Sequence, residues 1–120
     1  MKLIEDILLK NKIIPIVVIN DISLALKLSE VFFSNGIKII EITLRTENAL
    51  KIISEITKNF PKIIVGAGTV LSSTMAIKAR DYGASFSVSP GFTESLIDGC
   101  KKNDIPFLPG ASSVSEIMKL

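Results

Sequence analysis

The sequence predicts an α/β fold in which parallel strands alternate with amphipathic helices. Three observations carry that expectation. Short apolar, β-branched runs begin near residues 13, 37, 62, 84 and 105, at intervals of 24, 25, 22 and 21 residues, the repeat of a right-handed strand-helix array. The segments between them place apolar side chains at helical spacing. Cap-forming residues and glycines fall at the joins between the two patterns.

Residues 1–11 are read as an N-terminal helix ahead of the array. The five strands are expected at Ile13 to Ile19, Ile37 to Leu44, Lys62 to Gly66, Ala84 to Ser89 and Ile105 to Leu108, each an apolar run of buried-strand length. After the first strand, Leu24, Leu28, Val31 and Phe32 mark the packed face of a helix; after the second, Ala49, Ile52, Ile53 and Ile56 do so. Asp21, Thr46, Ser72 or Ser73, and Thr93 stand where N-caps are needed, and Gly36 and Gly83 where a helix ends in a left-handed residue. Ser113 and Glu116 form an S-x-x-E capping box that launches a last helix. The sequence closes barely two turns later at Leu120, as though cut within an element.

Such an array folds either as an open doubly wound sheet or as an eight-stranded barrel. The length of 120 residues favours the open sheet, since complete barrels need roughly 200 residues or more. The interrupted last helix favours the barrel.

Composition narrows the chemistry. The chain contains no histidine and a single cysteine, Cys100, so a His-ligated metal, a Ser-His-Asp triad and an internal disulfide are impossible within it. No metal and no cofactor are expected. The net charge is +2, the lysines are scattered and the two arginines, Arg45 and Arg80, lie far apart, which argues against nucleic acid as a partner. Ile13 to Ile19 is the longest apolar run and falls well short of the about 20 residues a membrane span needs. Glu5 and Asp6 interrupt any signal-peptide apolar segment. A cytoplasmic location is expected.

Polar and glycine-rich positions gather at the carboxyl ends of the strands: Asn20, the run from Glu41 to Arg45, Gly66-Ala67-Gly68-Thr69, Ser89-Pro90-Gly91 and Pro109-Gly110. In parallel α/β folds ligands bind at that edge. Strand periodicity puts Glu41, Thr43 and Arg45 on one face, with Ile40, Ile42 and Leu44 on the other. An acid inside an apolar strand has its charged form disfavoured, which raises its pKa toward values useful for proton transfer. Glu41 is therefore a candidate general base, a structural ion pair being the alternative. Arg45 lies about 13 Å further along the strand, at roughly 3.3 Å per residue, and from the rim can grip a carboxylate with two parallel hydrogen bonds. The Thr69 hydroxyl points into the same cleft. The glycines before it make a poor nucleotide loop, because Leu71 stands where a third glycine is required and no Gly-Lys-Ser/Thr follows; a tight turn is the simpler reading. Pro90 shapes its loop or walls a pocket. Cys100, Met75 and Met118 read as helix packing, and Lys101 with Lys102 as a solvated helix end.

Taken together, Gly36 to Arg45, Gly66 to Leu71, Ser89-Pro90-Gly91, and Pro109-Gly110 followed by Ser113 to Glu116 resemble, in order and spacing, the 2-keto-3-deoxy-6-phosphogluconate (KDPG) and 4-hydroxy-2-oxoglutarate (KHG) aldolases. The resemblance implies a (β/α)8 barrel, of which residues 1–120 would be the N-terminal portion, five strand-helix units long. It implies cleavage of KDPG to pyruvate and glyceraldehyde 3-phosphate, or of 4-hydroxy-2-oxoglutarate to pyruvate and glyoxylate, through a lysine Schiff base without metal or cofactor. On the same resemblance Glu41 would be the acid/base, Arg45 and Thr69 would bind the keto-acid carboxylate, and Pro90 would line the pocket and influence stereochemistry. It further implies a homotrimer. The family's Schiff-base lysine lies on a sixth strand, in a Lys-Phe-Phe-Pro type motif expected after Leu120, and none of the twelve lysines here occupies an equivalent position. The expectation is thus an aldolase whose lysine lies outside these residues, or else a non-catalytic relic or partner-completed half-barrel that at most binds a keto acid. A flavodoxin-like binding module is the remaining, disfavoured reading.

Overall fold

Each of the five β-branched runs forms a strand, and each strand is followed by a helix. The computed structural model describes residues 4–120. In chain order the elements are α1 (Ile4–Lys10), β1 (Ile16–Val17), α2 (Ile22–Ser34), β2 (Ile39–Thr43), α3 (Ala49–Asn59), β3 (Ile64–Gly68), α4 (Ser73–Asp81), β4 (Phe86–Ser89), α5 (Glu94–Lys102), β5 (Phe107–Pro109) and α6 (Val114–Lys119). The N-terminal helix is present from Ile4; the expected residues 1–3 of it lie outside the described residues.

The strands pair in parallel in the order β1-β2-β3-β4-β5. Sequential order means that no topological switch point interrupts the sheet, unlike in a doubly wound fold. The helices agree. Side chains from α2, α3, α4 and α5, among them Ala25, Ile53, Ala76 and Cys100, share one core with Ile40, Ile42, Val65 and Ala67 of the sheet. On the opposite face, among the described residues, the buried Ile7 of α1 packs with Ile39 and Phe86, and Ile14 from the segment before β1 packs against them. Helices on one side and a concave, chain-poor face on the other make this an arc of a (β/α)8 barrel, with α1 packed onto its inner face. The open-sheet alternative is thereby set aside.

Most punctuation follows the sequence. Asp21 accepts from the Leu24 amide, Ser72 from Met75, Thr93 from Leu96, and Ser113 with Glu116 closes a reciprocal capping box. Gly36 and Gly83 take positive φ, +84° and +109°. Four expectations need correction. Thr46 is no N-cap: α3 starts after Asn48, and the Thr46 hydroxyl donates instead to the Ile19 carbonyl at 2.9 Å. The packed face of α2 is rotated, with Leu24 and Val31 more than half exposed and the small Ala25 and Ser29 buried in their place, so that the helix lies close to its neighbours. Met118 is exposed, although Met75 packs on the core. Finally, Gly66 to Gly68 belong to β3 rather than to a turn, and the turn is made by Thr69.

β1 is much shorter than the apolar run that announced it, because it pairs on one side only and Pro15 has no amide to give. Exposed apolar side chains gather at the two ends of the array, Ile13, Ile16 and Val18 beside β1 and Val114, Ile117 and Met118 on α6.

The rotated helix face is checked by urea unfolding. Ile53→Ala, at a fully buried position, is expected to cost about 2–5 kcal/mol, whereas Val31→Ala is expected to stay within about 0.5 kcal/mol of the parent. Comparable losses would return Val31 to the core.

Candidate active site

β2 runs inside the sheet between β1 and β3, and all five of its residues are buried. Ile40 and Ile42 turn toward the helices, which leaves Ile39, Glu41 and Thr43 facing the concave side. Register then fixes what surrounds them: Glu41 lies opposite Ile16 on one side and Gly66 on the other, and Thr43 opposite Gly68. Glu41 is only 7% exposed. Burial raises its carboxyl above the ordinary carboxylate value, and the positive charge of Arg45 opposes that rise without cancelling it. A carboxyl held in this way keeps its proton to higher pH and can both give and take one.

Arg45 lies two residues beyond the end of β2, at the rim, where its side chain is exposed. Its Nε donates to Thr69 Oγ1 at 2.9 Å, and its terminal nitrogens make no hydrogen bond among the described residues. The fork of the guanidinium therefore remains available for a carboxylate. Thr69 is held in a conformation that a β-branched residue seldom adopts, with φ at +57°. The backbone on both sides is pinned, since the Leu44 amide donates to the Gly68 carbonyl at 2.9 Å and the Val70 amide to Val88 at 3.0 Å. Positive φ in a non-glycine residue at a rim is the kind of strain that marks functional loops.

Of the four residues singled out in the sequence, Glu41, Arg45 and Thr69 come together across β2 and β3. Pro90 stands exposed at the same carboxyl edge, just past β4, in a loop closed by a 2.8 Å bond from the Gly110 amide to Ser89. Asn20 is structural: its side-chain oxygen accepts from the Asn48 amide and its carbonyl from the Asn48 side chain, both at 3.0 Å. Cys100 is buried, and burial pushes its thiol up, away from nucleophilic use. The sequence reading missed that Glu41 lies over Gly68 and the Phe86 ring over Gly66; glycines two apart on one strand face are the signal that points to both. A separate cavity of about 590 Å³, lined by Leu8, Ile97, Phe107 and Leu120 among others, lies along the free side of β5, away from Glu41.

The sequence model of the KDPG and KHG aldolase family matches residues 4–120. A 2-dehydro-3-deoxy-phosphogluconate aldolase of Pseudoalteromonas atlantica is 38% identical over 115 residues, 96% of this chain and 54% of its own length. A KHG/KDPG aldolase of Escherichia coli K12 is 39% identical over 114 residues, 95% of this chain and 54% of its own. Among solved structures, a KDPG aldolase from Legionella pneumophila, with pyruvate captured as a covalent carbinolamine, superposes with a TM-score of 0.93 at 36% identity, over 98% of this chain and 57% of that one. The chain spans about half the length of the curated relatives it matches.

The raised Glu41 carboxyl has a consequence for stability. The folded chain binds this proton more tightly than the unfolded chain does, so the site destabilises the fold as pH climbs through the raised value. Glu41→Gln is expected to be more stable than the parent at neutral pH, with the difference closing as pH falls below the ordinary carboxylate range, in thermal scans across pH. A constant difference at all pH would contradict it.

Proposed function

The chain belongs to the KDPG and KHG aldolase family, and from that premise we propose that it supplies the acid/base and carboxylate-binding half of a class I aldolase site. The observation that carries the proposal is a buried, proton-retaining Glu41 below an Arg45–Thr69 pair at the rim. The substrate class is a 2-keto-4-hydroxy acid, KDPG or 4-hydroxy-2-oxoglutarate. Its carboxylate meets the Arg45 guanidinium and the Thr69 hydroxyl, which places the keto carbon deeper in the site, toward Glu41. Pro90 borders the same edge and walls the aldehyde end.

The chemistry divides between two groups. A lysine amine adds to the keto carbon, Glu41 as the acid protonates the carbinolamine hydroxyl, and water leaves to give an iminium. The Glu41 carboxylate then takes the proton from the C4 hydroxyl; the C3–C4 bond breaks, its electrons flow to the iminium nitrogen, and the aldehyde departs. Protonation of the enamine and hydrolysis release pyruvate. Covalent catalysis of this kind needs the amine next to the base. We propose that the lysine comes from polypeptide beyond these 120 residues, which would complete the barrel from a residue 1–120 portion. The exposed apolar side chains beside β1 and on α6, and the chain's coverage of about half its relatives, support that completion. A cytoplasmic homotrimer follows from the family resemblance; among the described residues no helix is long and apolar enough to cross a membrane.

Two measurements test this reading. Incubated with pyruvate and borohydride, the 120-residue chain is expected to show no covalent mass increase; a stoichiometric adduct would place a reactive lysine within it. Fused to the part of the Escherichia coli relative beyond the matched residues, it is expected to release pyruvate from KDPG, and Glu41→Gln in that fusion to slow turnover by about 10²-fold or more. A folded fusion without activity, or unchanged turnover in the variant, would overturn the assignment.

A further inference from the structure

On its concave face β3 carries no side chain at two successive inward positions, Gly66 and Gly68. Each bare patch is covered from a different neighbour. A β-carbon at 66 would overlap the tip of the Phe86 ring, which crosses from β4; one at 68 would overlap Glu41 Oε1 and come within 2.8 Å of the Glu41 carboxyl carbon, which crosses from β2. Backbone conformation does not demand either glycine, for the glycines with positive φ are Gly36 and Gly83. What excludes a side chain is the neighbouring side chain. Glycine inside a strand weakens it, so two of them in a central strand need a reason, and the reason here is occupancy of the space above them.

The two occupants are related. Phe86 is fully buried with Ile7 and Ile39, and its ring covers the inward position directly below the one on which the Glu41 carboxyl lies. The carboxyl thus rests on bare peptide with an apolar layer beneath it and Arg45 toward the rim; that arginine is the charged group whose field reaches it. We propose that Gly68 is a positioning residue for proton transfer: its bare backbone is the seat of the Glu41 carboxyl and sets the depth at which that carboxyl meets the substrate. Any side chain at 68 lifts the carboxyl off the strand and toward water. The functional meaning rests on Glu41 as the acid/base of the preceding section, but the seat itself is tested without substrate, so the two fail separately.

The test is a double-mutant cycle on the 120-residue chain, combined with a carbon-13 NMR titration of the Glu41 carboxyl. Gly68→Ala is expected to lower the melting temperature by about 5 °C or more, the scale of one kilocalorie-size loss in a small domain. In a Glu41→Ala background, with the occupant gone, the same substitution is expected to change it by no more than about 1 °C, because alanine then also limits the unfolded chain. In Gly68→Ala the Glu41 carboxyl should titrate closer to an ordinary carboxylate than in the parent. If Gly68→Ala alone does not fold, folding of the double variant supports the seat and its failure to fold refutes it. An equal penalty in both backgrounds, or an unmoved Glu41 titration in a folded Gly68→Ala chain, refutes it as well.

Discussion

The site depends on one packing relation, a carboxyl from the second strand lying on the uncovered backbone of the third. A parallel sheet with helices along one face leaves its other face to be filled from within. Here the filling is uneven by design of the sequence. At one level Ile7, Ile39 and Phe86 make an apolar layer; at the next stands Glu41, and beyond it Thr43 and the Arg45–Thr69 pair. Polarity rises along the strands toward the carboxyl edge. Glu41 sits at the boundary, where burial is sufficient to favour its protonated form and the guanidinium is near enough to temper that effect.

The same relation lies wholly within these five strand-helix units. Glu41, Arg45, Thr69 and Gly68 all belong to β2 and β3 or their loops, interior strands of this sheet, whose neighbours on both sides are present. The edges differ. β1 is reduced to two paired residues, and apolar side chains beside it and on α6 face outward, surfaces that an edge leaves exposed to further chain. The proposed division of labour follows: proton transfer and carboxylate binding on the interior strands, and the amine from outside these residues.

Local chemistry was legible where local forces decide. The alternation of β-branched runs with helical spacing is intrinsic to each segment, so the succession of strands and helices and most caps could be read directly, and the two-residue period put Glu41 on the inner face before any neighbour was known; the order of the strands in the sheet was not, and came from their pairing. Thr69 beside Arg45 was legible as well, since both end adjacent strands. What escaped the sequence depends on residues distant in the chain. Thr46 lost its cap role to a bond with Ile19, and Asn48 is clamped by Asn20, 28 positions earlier. α2 turned its small Ala25 and Ser29 inward because close approach to the neighbouring layer outweighs the burial of Val31. Gly66 and Gly68 looked like turn glycines because nothing local reveals that Phe86 and Glu41 reach over them.

The central claim is that these five strand-helix units already hold a preassembled keto-acid carboxylate site above a buried acid. Nitrogen-15 NMR of the chain titrated with pyruvate tests it most directly, with methyl pyruvate as the uncharged comparison. The account predicts saturable shifts confined to the Arg45 Nε–Hε group and the amides around Thr69 and Gly68, seen with pyruvate and lost with its ester. Equal responses to the two compounds, or shifts located elsewhere on the sheet, would contradict it.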